Sequence, residues 1–188
     1  LLAKSKRPVL HLGQGVKIAN AQNILRKLLN KYKIPFALTW NASDLIESDH
    51  VCYVGRPGAF AERGTNFIIQ NCDLYISIGT RLPFMVTGYN SKDFARKAKK
   101  IMVDIDKYEL NKKRGLKIDY KVKEDVKYFL SQFTKKNKQN ISKEDWLKRC
   151  FFWKKKYPLV QKIFFNDKKF VNPYVLMDDL SKKLKKKD

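Results

Sequence analysis

Four short clusters of glycine, arginine and aspartate are the residues of this chain best suited to holding a ligand. Gly13-Gln14-Gly15 follows the apolar run PVLHL and precedes an amphipathic stretch. In that position glycines let the backbone approach a diphosphate, and a helix N-terminus offers unpaired N–H donors. The ordinary dinucleotide fingerprint G-x-G-x-x-G asks for glycine at position 18, which is Ile18 here, so a purely structural turn is an equal reading. If the turn does hold phosphate, Gly15→Val is expected to abolish nucleotide binding by crowding the backbone while leaving the fold nearly intact. Gly79-Thr80-Arg81 ends a second apolar run, and its arginine either pairs with a phosphate or faces water. In Asp104-Ile105-Asp106 the first aspartate is placed to accept ribose hydroxyls, whereas Asp106, with Glu109 three residues on, has the pattern of a capping box. Gly55-Arg56-Pro57-Gly58 either lets the chain pass close to a flat ligand or makes a tight turn.

Other chemistry is missing. The sequence has no serine, histidine and acid arrangement, no G-x-x-x-x-G-K-[ST] loop and no carboxylate cluster suited to a metal. His11 and His50 are the only histidines, and Cys52, Cys72 and Cys150 lack C-x-x-C spacing, so neither zinc nor a disulfide framework is suggested. The cysteines beside the strands, Cys52 and Cys72, read as small buried hydrophobes, and Trp40, Trp146 and Trp153 as core. No residue of the segment forms a convincing catalytic constellation.

The elements that would position the clusters follow from periodicity. Pro8 to Leu12 reads as a strand, and Ala19 to Tyr32 as a helix with Ile24, Leu25, Leu28 and Leu29 on one side. Strands are predicted at Ile34 to Thr39, Val51 to Val54, Leu74 to Ile78, Lys100 to Ile105 and Lys117 to Val122. Helices are predicted around Asn66 to Asn71, Asp93 to Lys99 and Glu124 to Phe133. Short β-branched runs alternating with helical patterns indicate a doubly wound α/β domain, with a six-stranded, mostly parallel Rossmann-like sheet over residues 1 to 134. A linker carrying an aromatic helix, Lys143 to Tyr157, spans 135 to 169, with a polar stretch at Lys135 to Ser142. From 170 to 188 a helix begins at Asn172 as N-cap with Pro173 in its first position and runs to Lys187.

Composition narrows the class. The chain has 188 residues, 44% of them hydrophobic, enough for one domain with a core. No run is long and apolar enough to span a membrane, and Lys4, Lys6 and Arg7 follow Leu1 at once, so a signal peptide, a membrane partner and a secreted location are all read out in favour of the cytoplasm. The formal charge of +23 raises nucleic acid as a partner, but only eight of the 41 basic residues are arginine, the side chain that reads bases and phosphates bidentately. The lysines fall in runs such as Lys154-Lys155-Lys156 and Lys182-Lys183, which read as solvated faces. A basic nucleic-acid-binding domain is therefore the weakest of three readings. A stand-alone nucleotide-binding module of the sirtuin or electron-transfer flavoprotein type is the second.

The first rests on motifs in order: RPVLHLGQGV, IPFALTWNASDLI, HVCYVGRPGAFAERGTNFIIQNCDLYISIGTRLPF, VTGYN, FARKAKKIMVDIDKYELNK and FVNPYVLMDDLSKKL. The chain resembles the central domain of thiamine-diphosphate-dependent enzymes of the acetolactate synthase and pyruvate decarboxylase superfamily, on its acetolactate synthase-like branch. The likeness covers residues 6 to 130, and the tail from Phe170 resembles the first helix of the domain that follows. It implies a fragment of a larger enzyme that decarboxylates a 2-oxo acid and ligates or releases the acyl unit. In such an enzyme, thiamine diphosphate and Mg²⁺ are held by flanking pyrimidine- and diphosphate-binding domains of the same polypeptide, and two or four copies associate. The central domain of relatives holds FAD, ADP, a coenzyme A derivative or nothing. The resemblance places any such ligand at Gly13, Gln14, Gly15, Gly55, Arg56, Gly58, Gly79, Thr80, Arg81, Asp104, Ile105 and Asp106. Two departures count against FAD. G-A-R-F-D-D-R-V-T-G of flavin-binding synthases reads Gly79-Thr80-Arg81-Leu82-Pro83-Phe84-Met85-Val86-Thr87-Gly88 here, and G-M-H-G-T reads Gly55-Arg56-Pro57-Gly58-Ala59.

Overall fold

The computed structural model describes residues 1–113, 115–136, 142–166 and 169–184. Six strands, β1 (Pro8–Leu12), β2 (Phe36–Leu38), β3 (Tyr53–Gly55), β4 (Leu74–Ile78), β5 (Lys99–Asp104) and β6 (Tyr120–Lys123), form one sheet in the order β3-β2-β1-β4-β5-β6. Every neighbouring pair is parallel, with registers such as Leu10 opposite Ile76 and Ile76 opposite Ile101. This is the doubly wound Rossmann-like order, which starts in the middle, winds to one edge and then returns to wind to the other. The predicted fold class is the one observed. Central strands β1 and β4 are buried along their whole length, as crossovers covering both faces require. The edge strand β6 is mostly exposed and carries Lys121 and Lys123, charges that discourage pairing with another chain.

Helices cover both faces. They are α1 (Gly15–Ile18), α2 (Gln22–Tyr32), α3 (Arg63–Asn71), α4 (Phe84–Thr87), α5 (Lys107–Asn111), α6 (Val126–Lys136), α7 (Glu144–Lys156) and α8 (Pro173–Lys183). One core packs Leu25, Leu28, Leu29 and Tyr32 of α2 and Leu130 of α6 against Leu10 and Ile76. The other packs Ile68 of α3 and Trp146 and Cys150 of α7 against Val9, Tyr75 and Met102.

Several boundaries differ from the sequence reading. The helix expected from Ala19 starts only at Gln22 as α2, and a separate turn, α1, precedes it; Asn20 between them adopts a left-handed conformation (φ 50°). The basic helix expected over 93–99 does not form. Ser91–Asp93 makes a single 3-10 turn, Ala95 takes φ 45°, and Lys99 already begins β5, because Phe94, Ala95 and Ala98 are drawn down onto the sheet. Phe94 stands edge-on to Tyr75, ring centroids 5.1 Å apart. Trp40, read as core, is 47% exposed. Within the stretch read as a linker, α7 packs closely on α3. The Trp146 indole N–H donates to the Pro8 carbonyl (3.1 Å), and a Cβ at Gly64 would lie 2.9 Å from the Trp153 carbonyl oxygen. Asn172 caps α8 as expected, accepting the Tyr174 N–H (3.0 Å), yet no residue of α8 is buried. The last helix ends at Lys183 with Leu184 extended, short of the expected Lys187. Arg114, residues 137–141 of the polar stretch, residues 167–168 and residues 185–188 of the lysine run lie outside the described residues. No helix among the described residues is long and apolar enough to cross a membrane. All three cysteines are free and buried, and burial pushes the Cys52 thiol up to about 11 and Cys72 up to about 12.

The centre of β1 carries an ionisable group. His11 is completely buried; its Nδ1 shares a hydrogen bond with the Tyr75 hydroxyl, and its Nε2 has no partner among the described residues. Burial holds the ring neutral, with its pKa pushed down from 6.5 to about 3. The unfolded chain therefore takes up this proton first as pH falls. The contribution is complete above about pH 6.5 and is lost at roughly 1.4 kcal/mol per pH unit below it, until the folded-state pKa is reached. Half-buried His50, also lowered by burial, adds in the same direction. Urea denaturation between pH 7 and pH 4 should show this loss, and a His11→Leu, Tyr75→Phe double variant should flatten most of it. An equally steep slope in the double variant would place the proton uptake elsewhere.

Candidate functional site

In a sheet of this order the crevice lies where winding reverses, between the carboxyl ends of β1 and β4. Gly13-Gln14-Gly15 and Gly79-Thr80-Arg81 meet there. The Gly13 N–H donates to the Ile78 carbonyl (2.9 Å), the Gly15 N–H to the Gly79 carbonyl (3.0 Å), and the Gly79 N–H to the Val103 carbonyl (3.0 Å). The two turns touch backbone to backbone. A Cβ at Gly13 would lie 2.2 Å from the Gly79 carbonyl oxygen, and one at Gly15 would lie 2.7 Å from the Gly79 Cα. Gly79 itself has φ 61°. The glycines are thus required by the contact between the turns, which overturns the expectation that Gly15→Val leaves the fold nearly intact.

That contact determines which donors remain for a ligand. Among the described residues the N–H groups of Gln14, Thr80 and Arg81 have no acceptor, the Arg81 side chain is exposed and unpaired, and the buried Gln14 Oε1 has no partner. Three N–H groups and a guanidinium on adjoining turns suit the oxygens of a diphosphate. This donor set fits the anionic part of FAD or ADP equally and does not distinguish them.

The other two clusters stand on either side. After β5, Asp104 is buried and its Oδ1 accepts the Asp106 N–H (3.0 Å). Asp106 caps α5 by accepting the Tyr108 N–H (2.8 Å), the capping role foreseen for it. Ile105 between them is 66% exposed. After β3, Gly55 (φ 108°) and Gly58 (φ 139°) take conformations that favour glycine. This loop is joined to the loop after β4 by the Ala59 N–H, which donates to the Met85 carbonyl (2.8 Å). The structure therefore brings the clusters at 13–15 and 79–81 into contact, ties 55–58 to the loop that carries Met85, and sets 104–106 one strand further along.

Sequence reasoning missed the residues that hold the 55–58 loop. The Asn66 side chain accepts the Gly58 N–H and donates to the Gly58 carbonyl, both at 2.9 Å. Glu62 accepts the Arg56 N–H (3.2 Å), and burial pushes its carboxyl up against the pull of Lys154. Lys154 reaches in from α7, donating to the Tyr53 carbonyl (3.2 Å) and lying 4.7 Å from the centre of the Tyr53 ring. The only local signal was the closeness of Glu62 and Asn66 to the glycines; the Lys154 contact bridges about a hundred residues. Arg56 and Glu62 line a cleft of about 400 Å³ with Trp40, Phe60 and Tyr174. Among the described residues no three His, Cys, Asp or Glu side chains converge as metal ligands, so these residues do not fit a Mg²⁺ site.

Residues 1–133 match the family model described as thiamine pyrophosphate enzyme, central domain, and the chain belongs to that family. Its relatives include acetolactate synthase large subunits. It is 33% identical over 186 residues to that of Cyanidium caldarium, covering 96% of this chain and 31% of the relative. It is likewise 33% identical to the isozyme 2 large subunit of Escherichia coli K12, over 80% of this chain and 26% of the relative. A probable acetolactate synthase large subunit of Methanocaldococcus jannaschii is 32% identical over 100% of this chain and 31% of its own length. The chain spans about a third or less of the curated relatives it matches.

The glycine contact gives a direct test. Gly15→Val and Gly79→Ala should each cost at least about 2 kcal/mol in urea denaturation, through overpacking at Gly15 and overpacking plus positive φ at Gly79. Stability within about 0.5 kcal/mol of the parent chain would mean that the turns part readily and the glycines answer to a ligand instead.

Proposed function

We propose that this chain is the central domain of an acetolactate synthase-like enzyme acting on a 2-oxo acid, and that its crevice between β1 and β4 binds the diphosphate of a nucleotide such as ADP or FAD. Family membership supports the first part. The observation that carries the second is the set of unpaired donors left by the Gly15–Gly79 contact: the N–H groups of Gln14, Thr80 and Arg81 with the exposed Arg81 guanidinium. In this reading residues 1–134 form the nucleotide-binding unit, 135–169 connect it onward while lending α7 to its core, and 170–188 begin the next domain. The catalytic groups lie on flanking pyrimidine- and diphosphate-binding domains of the same polypeptide, which assembles as a dimer or tetramer in the cytoplasm. Thiamine diphosphate with Mg²⁺, bound there, supplies the chemistry that cleaves the bond between carboxyl and carbonyl. The residues of this segment bind and orient; none of them moves a proton in that reaction.

Calorimetric titration with ADP, FAD, NAD and thiamine diphosphate, alongside an absorbance scan for carried-over flavin, tests the reading. Saturable heat with ADP or FAD and none with thiamine diphosphate is expected. Arg81→Ala should weaken the nucleotide by about tenfold or more, the worth of a charge-assisted hydrogen bond. Silence with all four ligands would overturn nucleotide binding and leave the crevice as scaffold. Heat with thiamine diphosphate would overturn the place assigned to the segment.

A further inference from the structure

The opposite, amino end of the strands carries a second concave site that the nucleotide reading does not use. A cleft of about 920 Å³ opens beside the start of β1, between the end of α3 and the first half of α7. That is toward the upper end of the volumes that hold metabolite-sized ligands. Trp146 and Trp153, edge to face at 5.8 Å, form its apolar wall, and Lys6, Arg7, Lys143 and Arg149 surround it.

Its two guanidinium groups are each fixed by a contact that is not an ion pair, although the Arg7 charge also acts through space on Asp73. Arg7 donates from Nε to the Asn71 carbonyl at 2.7 Å, so its terminal pair of nitrogens is left over. Arg149 lies over the rings of Phe152 (5.5 Å) and Trp153 (5.9 Å), a stacking that occupies the face of the guanidinium and leaves its N–H edge free. Among the described residues neither is ion-paired. The nearby Asp73 carboxylate is already committed, accepting the Ser5 hydroxyl and the N–H groups of Lys6 (2.8 Å) and Arg7 (2.9 Å). The acids on the rim, Glu144 and Asp145, are exposed, and Asp145 lies 4.0 Å from Lys148.

We propose that this cleft binds a small phosphorylated anion, gripped by the forks of Arg7 and Arg149 with Lys6 and Lys143 as supporting charges. Two forks on one ligand call for an acceptor with several oxygens and more than one negative charge, which a phosphate or diphosphate group supplies. Glu144 and Asp145 also line the cleft and offset part of its positive charge, so the grip depends on the paired forks rather than on net charge, which favours a compact ligand with several oxygens over a long polyanion. The indole wall offers apolar surface to whatever carries the phosphate.

The test uses inorganic pyrophosphate as probe, at constant ionic strength. The readout is tryptophan fluorescence of the 188-residue chain in a Trp40→Phe background, so that Trp146 and Trp153 report. A saturable change is expected. Arg7→Gln and Arg149→Gln should each weaken it by about tenfold or more, and Arg149→Lys should not restore it, because lysine keeps the charge and loses the fork. Lys97→Gln, an exposed charge elsewhere, and Arg81→Gln at the nucleotide crevice should leave it unchanged, with far-ultraviolet circular dichroism verifying that every variant folds. No saturable change, an equal loss in Lys97→Gln, or full rescue by Arg149→Lys would overturn the proposal. Loss in Arg81→Gln alone would also overturn it, while supporting the nucleotide crevice, so the two sites fail separately.

Discussion

The backbone contact between Gly15 and Gly79 is the constraint on which the rest of the molecule depends. It brings the turns leaving β1 and β4 together at the point where the winding of the sheet reverses, and the short helices α1 and α4 start from those turns. The glycine hydrogens are spent on that contact: Gly13 and Gly15 donate inward to the turn of β4, and Gly79 to β5. What is left unpaired is set by subtraction, and the donors at Gln14, buried Thr80 and exposed Arg81 are the remainder. A side chain at either glycine would disturb the architecture before it reached any ligand. The same residues thus carry two duties that a sequence alone cannot separate.

A second constraint comes from the buried polar groups of the sheet. In a layer covered on both faces, each polar side chain must find a partner or stay neutral. Thr65 donates to the Val54 carbonyl (2.5 Å) and Ser77 to the Ile101 carbonyl (3.2 Å), which ties α3 to the sheet and β4 to β5. His11 meets the requirement incompletely, since only one of its nitrogens is engaged. The protein tolerates this because the uncharged ring costs far less to bury than an imidazolium. Such a residue on the central strand makes the fold sensitive to acid without any role in ligand binding.

Much of this was legible in the residues. Strands β1 and β4 were read to the residue because a continuous apolar run bounded by glycine or polar residues leaves little choice of ends. The four ligand clusters fell at the carboxyl ends of β1, β3, β4 and β5 as expected, and Asp106 proved to be a helix cap. The failures have physical causes. The helix expected over 93–99 had the composition for one, but burial of Phe94 and Ala95 against Tyr75 outweighed local propensity. Trp40 looks like core by type and is half exposed, because it sits in the 3-10 turn beyond the carboxyl end of the short β2. Glu62, Asn66 and Lys154 were invisible because their work is to hold a loop through contacts that no spacing rule encodes. The cleft around Arg7 and Arg149 joins residues more than a hundred positions apart, so neither cluster looked unusual alone.

The docking of α7 on α3 bears on how the polypeptide acquires its shape. Trp146 bonds to Pro8 across 138 positions, and Cys150 completes a core whose members include Val9, Ile68 and Tyr75 in the first half of the chain. During synthesis the sheet, its α2–α6 layer and α3 can therefore assemble while the part of the opposite face that α7 covers still lies open to water. For that interval the nascent domain presents a partly uncovered apolar face, a surface that chaperones bind and that sticks to its own kind. A cut at the end of the family match, after residue 133, would make that temporary exposure permanent.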